Sequence, residues 1–199
     1  HRVPAMVRVP GHAAEDIAAV LDAGAAGVLV PRISTAEQAR SAVRAMRYPP
    51  LGARGVGPGR AAAYGYRIPD YLAKANAELV LAIQVETAEG LANIVDIAAV
   101  DGVDLIFIGP GDLSVSIDAM CPAGKDKLDA AIRTIVKTAL SAGRAVGIFR
   151  PTPDDVATWS AAGISFFLLA SDTMYLGAGL TAGVIEAKKH KGGLGVAEK

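Results

Sequence analysis

Cysteine is almost missing from this 199-residue chain: Cys121 stands alone, so no disulfide within the chain can brace the fold. Its Met-Cys-Pro-Ala-Gly setting reads as a turn rather than a nucleophile's pocket, because no histidine lies near it in sequence. Missing too is any window approaching the ~18 uninterrupted apolar residues of a membrane span, although 52% of the residues are hydrophobic. No basic-then-apolar leader stands at the N-terminus. These absences point to a soluble, cytoplasmic protein with no membrane partner. Nor is either charge in excess: 20 Lys and Arg balance 20 Asp and Glu, which gives no electrostatic reason to expect nucleic acid. A small-molecule substrate fits better. No Cys/His cluster has zinc-ligand spacing, and no Gly-x-Ser-x-Gly elbow marks a serine hydrolase.

Short apolar runs separated by helical periodicity fill most of the chain. Two of them, 79–87 and 104–112, contain or end in a carboxylate, Glu86 or Asp112, as buried parallel strands do at their functional ends. Between them, Leu91, Ile94, Val95 and Ala98 keep helical spacing over 88–98. Further strands are expected at 3–10, 26–31, 144–149 and 164–170. Helices are expected at 13–23, 35–46, 68–77, from Leu128 through Leu140, at 154–162 and at 172–189. Thr35 and Gln38 have capping-box spacing. The segment from Asp112 to Lys125 reads as irregular, and the Pro- and Gly-rich 48–60 as a structured loop.

Six strands alternating with helices give an α/β class with a parallel sheet. A closed (β/α)8 TIM barrel has eight strands and typically about 250 residues. The sheet is therefore either open and doubly wound or a barrel lacking its first two strand-helix units. A single domain over residues 1–190 with a loose tail at 191–199 is expected.

If the strands ending in Glu86 and Asp112 are neighbours, they lie about 4.8 Å apart and both carboxylates emerge at the C-terminal sheet edge. Two carboxylates there can hold one hard divalent cation, with the remaining positions left to water or substrate. Arg8 ends an earlier strand, and a guanidinium beside two carboxylates and a metal makes a receptor for a 2-oxo acid and its enolate. A competing reading pairs Arg8 with Glu86 structurally and lets Asp112 cap a helix starting at Leu113. Gln84 shares the inward face with Glu86, as a ligand contact or an ordinary core polar group. The Arg54-Gly-Val-Gly-Pro-Gly-Arg60 stretch lacks the Gly-Lys-Ser/Thr ending of a nucleotide loop and reads as a lid. His12 is a candidate acid/base, whereas His1 and His190 read as solvated.

Met6-Val-Arg-Val-Pro10, Leu21-Asp-Ala-Gly24, Arg47-Tyr-Pro-Pro50, Gly52-Ala-Arg-Gly-Val-Gly57, Gln84-Val-Glu-Thr87 and Phe107-Ile-Gly-Pro-Gly-Asp-Leu-Ser114 occur in this order. This series resembles the successive motifs of the HpcH/HpaI aldolases, metal-dependent class II pyruvate aldolases. The resemblance implies a (β/α)8 barrel in a homo-hexamer, with the last helix packed on a neighbouring subunit. It implies a lyase that joins or cleaves pyruvate and an aldehyde, with Mg2+, Mn2+ or Co2+ held by Glu86 and Asp112. By matched motif, Arg8 contacts pyruvate and its enolate, Gly111 and Asp112 hold the pyruvate carboxylate, Gln84 lines the metal site and Val56 lies near the aldehyde pocket. Asp22 matches an aspartate that reaches into a neighbouring subunit's site. The family's Asp-x-x-His motif does not occur in this sequence, and the match begins at the family's third strand. A citryl-CoA or malyl-CoA lyase-like enzyme and a non-catalytic 2-oxo-acid-binding remnant are the other two readings.

Overall fold

Each of the six apolar runs becomes a strand: β1 (Met6–Arg8), β2 (Gly27–Val30), β3 (Val80–Val85), β4 (Leu105–Ile108), β5 (Ala145–Arg150) and β6 (Phe166–Leu169). In the computed structural model, which describes residues 3–191, they pair in parallel in chain order, β1 to β6. A doubly wound sheet reverses its order at a switch point; this one never does, so that alternative is excluded. The architecture is a curled half-barrel of six strands, and the eight strands of a closed barrel are not reached among the described residues.

Alternation along the strands sorts side chains onto two faces. One face, with Val28, Val30, Leu81, Ile83, Val85, Ile106, Ile108, Val146 and Ile148, packs under the helices as the main core. The other carries a small cluster of Leu29, Ala82, Leu105 and Phe107, with Met6, Phe149 and Phe166 against it. Phe107 and Phe166 meet edge to face at 6.2 Å. This second face is the inner wall, and Gln84 shares it by its spacing from Ala82.

The helices return the chain from one sheet edge to the other: α1 (Ala14–Asp22), α2 (Ala36–Met46), α3 (Ile68–Glu78), α4 (Ala88–Ala92), α5 (Ile94–Ala98), α6 (Pro110–Ser116), α7 (Lys125–Ser141), α8 (Val156–Ala161) and α9 (Asp172–Lys191). The expected capping box forms, Thr35 accepting from the Gln38 amide while Gln38 accepts from the Thr35 amide. Three local expectations need correction. The single helix over 88–98 is two, broken at Asn93, whose side chain donates to the Ser34 carbonyl at 2.8 Å. The segment after Asp112 is not irregular throughout: α6 starts at Pro110, a residue suited to the first helical turn. Asp112 is thus inside that turn and caps no helix at Leu113. Finally, the 48–60 loop leads into a short 3-10 helix, Arg60–Gly65.

α9 is exposed from Asp172 to His190, with Tyr175, Leu176, Leu180 and Val184 uncovered among the described residues. The expected loose tail lies, Lys191 apart, outside the described residues. No helix among the described residues is long and apolar enough to cross a membrane.

Candidate active site

Parallel order places the C-terminal ends of β1, β3 and β4 on one edge, and with them Arg8, Glu86 and the first turn of α6. Glu86 follows β3 directly and is 2% exposed. Its Oε1 accepts from the Arg32 backbone N–H at 2.9 Å, and its Oε2 from Gln84 Nε2 at 2.5 Å. Burial pushes the Glu86 carboxyl above its usual pKa. The Arg32 hydrogen bond opposes the shift, neighbouring Asp112 adds to it, and Arg8 pulls the other way. These influences place Asp112 and Arg8 within electrostatic reach of Glu86, as their strand ends suggest. The structure therefore brings Arg8, Gln84, Glu86 and Asp112 together.

Glycines make the space. A Cβ at Gly109 would sit 2.5 Å from Glu86 Oε2 and 2.6 Å from Gln84 Nε2, so only glycine lets β4 run past the carboxylate. A Cβ at Gly111 would meet nothing within 4 Å, which leaves its backbone open to a small ligand. Gln84 Oε1 is buried without a hydrogen-bond partner. Two carboxylates of like charge and an unpartnered amide oxygen form an oxygen donor set that suits a hard divalent cation. No cluster of three or more His, Cys, Asp or Glu exists among the described residues, so the chain offers a two-carboxylate site with open positions.

Asp22 and Val56 do not join this group within one chain. Asp22 ends α1, which has carried the chain back to the opposite sheet edge, five positions before β2. There its Oδ1 accepts from Arg54 Nη2 at 2.5 Å. The Arg54 side chain is fully buried, its guanidinium 4.7 Å from the Tyr48 ring centroid and 5.6 Å from that of Tyr71. Burial works against its charge, yet the hydrogen bonds it donates to Asp22 and Tyr71 hold its pKa above the usual arginine value. Burial likewise pushes the Tyr48 phenol up, against the pull of Arg54. The glycine-rich loop rests on this pair: a Cβ at Gly59 would lie 2.6 Å from the Asp22 carbonyl oxygen. Val56, on the same loop, is exposed.

His12 lies in the loop after β1, its Nε2 2.7 Å from the Pro31 carbonyl oxygen, and Cys121 is exposed in a turn. Sequence reasoning missed Arg32, whose backbone adopts φ 54° to aim its N–H at Glu86. A left-handed conformation at a non-glycine residue leaves no mark in composition or periodicity. It also missed the part played by Arg54, visible beforehand only as one arginine of a glycine-rich loop.

The family model described as HpcH/HpaI aldolase/citrate lyase matches residues 1–177. The chain belongs to this family. Among HpcH/HpaI proteins, a hydroxypyruvate/pyruvate aldolase of Delftia acidovorans is 42% identical over 158 residues, 79% of this chain and 59% of that protein. A 2-keto-3-deoxy-L-rhamnonate aldolase of Klebsiella pneumoniae is 45% identical over 157 residues, 78% of this chain and 58% of its own length. The chain thus spans about three fifths of these curated relatives. A solved HpcH/HpaI aldolase/citrate lyase family protein from Burkholderia cenocepacia superposes with a TM-score of 0.85 at 35% identity, covering 92% of this chain and 73% of that one.

Proposed function

We propose that this chain carries the metal- and 2-oxo-acid-binding edge of a pyruvate aldolase, a lyase that makes or breaks the carbon–carbon bond between pyruvate and an aldehyde. The observation behind this reading is the convergence of Arg8, Glu86 and Asp112 on one sheet edge, with Glu86 pushed above its usual pKa. Two of the family members described above are named as aldolases of this class. A divalent cation such as Mg2+, Mn2+ or Co2+, held by Glu86 and Asp112, would supply Lewis-acid polarisation of the 2-oxo acid's carbonyl.

The residues around it have separate tasks. Gln84 and the Arg32 amide fix both oxygens of Glu86, so that its orientation is set before ligand arrives. Arg8, exposed at the end of β1, offsets negative charge on the bound 2-oxo acid and its enolate. The open backbone at Gly111 and Asp112 receives the substrate carboxylate. Asp22 and Val56, on the far sheet edge, would act in a neighbouring copy's site and complete its aldehyde pocket. That arrangement requires a homo-oligomer, a hexamer by family resemblance, and the uncovered apolar residues of α9 are consistent with such packing.

The test is release of pyruvate from a 4-hydroxy-2-oxo acid, followed by coupled reduction to lactate, with Mg2+, Mn2+ or Co2+ and again with chelator. Release that chelator abolishes is expected. No chelator-sensitive release would sink the proposal, and metal-dependent pyruvate binding without release would leave a 2-oxo-acid-binding protein.

A further inference from the structure

Behind the open backbone at Gly111 and Asp112 lies a hydroxyl with more acceptors than protons. The buried Ser114 Oγ donates to the Gly111 carbonyl at 2.6 Å and lies 3.0 Å from Met120 Sδ. A hydroxyl has one proton to give and a thioether is a weak acceptor, so the carbonyl holds it. The peptide unit joining residues 111 and 112 is planar. Fixing its C=O therefore fixes the direction of its N–H, part of the backbone that the aldolase reading gives to the substrate carboxylate.

Local structure places Met120 against this hydroxyl. At the end of α6 the Ala119 N–H donates to the Ser114 carbonyl at 2.7 Å and the Asp118 N–H to that of Val115 at 3.1 Å, the bond pattern of a helix closed by a left-handed residue. Asp118 supplies that conformation at φ 54°, and Met120 follows two positions later. A Cβ at Gly124 would lie 2.5 Å from the Ala119 carbonyl oxygen, so the next turn packs directly on this one. The thioether thus faces a buried hydroxyl, while Met120 as a whole is 70% exposed. Of the other three methionines, Met46 is fully buried, Met6 is half-buried and Met174 lies 41% exposed on α9.

We propose that Met120 is an oxidation site whose sulfoxide draws the Ser114 hydroxyl away from Gly111 and so weakens binding of a 2-oxo acid. The consequence rests on the aldolase reading above; the site itself does not. The oxidant is hydrogen peroxide. A sulfur lone pair attacks one peroxide oxygen and the O–O bond breaks. That oxygen stays on sulfur, and the other leaves as hydroxide and takes up the proton of the transferred oxygen, giving water. Sulfur is oxidised by two electrons and the peroxide is reduced by two. The new S–O oxygen is a polar acceptor where the thioether was a weak one, and it competes with the Gly111 carbonyl for a single proton.

The test is peroxide treatment in a Cys121→Ser background, because that exposed thiol also meets oxidant. Peptide mass spectrometry follows the gain of oxygen, deuterium exchange follows the α6 amides, and the pyruvate-release assay with Mg2+ gives KM and kcat for the 4-hydroxy-2-oxo acid. Met120 should oxidise ahead of Met6 and Met46. KM should then rise roughly fivefold, the ordinary net worth of one hydrogen bond, with kcat unchanged and α6 exchange faster. Methionine sulfoxide reductase with a dithiol should reverse both changes. Met174→Leu should respond as its parent does, and Met120→Leu should not respond. Ser114→Ala should show the raised KM before treatment and no further rise after it. Oxidation of Met120 without faster α6 exchange, or a response that survives in Met120→Leu, overturns the inference. If the untreated protein releases no pyruvate, the aldolase reading fails; faster α6 exchange dependent on Met120 would still uphold the oxidation site.

Discussion

Near-complete burial and two hydrogen bonds tie the ionisation of Glu86 to folding. Burial and Asp112 raise its folded pKa above the ordinary glutamate value, so between the unfolded and folded values the folded chain binds more proton than the unfolded one. Stability in chelator therefore falls as pH rises through that window and stays lower above it. Glu86→Gln removes the charge. Its melting temperature in chelator should exceed wild type at pH 7 by roughly 2–4 °C if the relief is near 1 kcal/mol, and the gap should close toward pH 4. A gap that persists at low pH would assign the effect to packing instead. On the far edge, Arg54→Ala leaves Asp22 unpaired beneath the glycine-rich loop. Removing one partner of a buried pair costs about 3–5 kcal/mol, and because Asp22 is 31% exposed the expected loss is roughly 3 kcal/mol by urea denaturation. Glu86 and Asp112 were legible in the sequence because a charge that interrupts an apolar run is conspicuous. Arg32 was not, because its contribution comes from the main chain.

The long elements were readable where periodicity ran for ten residues or more, and misread where tertiary contacts decided. α2 shows the first case: its capping box is local chemistry, and Thr35→Ala, which removes the acceptor for the Gln38 amide, should cost about 1 kcal/mol in thermal or denaturant unfolding. Asn93 shows the second, since its bond to the Ser34 carbonyl joins residues 59 positions apart and no window spanning one helix contains that information. The start of α6 was missed, a helix being weighed only from Leu113, because glycines at 109 and 111 flank Pro110, a pattern shared by turns and by helix starts. Six strands were located from sequence, but only the pairing order distinguished a half-barrel from a doubly wound sheet, because both alternate strands and helices in the same way.

For the molecule as a whole, α9 makes the clearest prediction. Twenty residues of helix leave Leu176, Leu180, Val184 and Ile185 uncovered among the described residues, a larger apolar exposure than an isolated chain tolerates well. If α9 packs on a neighbouring copy, Leu180→Asp should lower the mass seen in sedimentation equilibrium while leaving the circular dichroism of the half-barrel intact; an unchanged mass would place the subunit contact elsewhere. The strand order has its own outcome during synthesis. Because β1 to β6 pair in the order in which they are made, each strand from β2 onward meets a partner already present as it leaves the ribosome, and the sheet can grow from one side without waiting for a later segment. Arg8, Glu86 and Asp112 all belong to the portion finished with α6. The charged edge can thus be assembled while β5, β6 and the last three helices are still untranslated, so on the proposed reading a nascent chain would carry its candidate ion site before the helix proposed to join it to its neighbours.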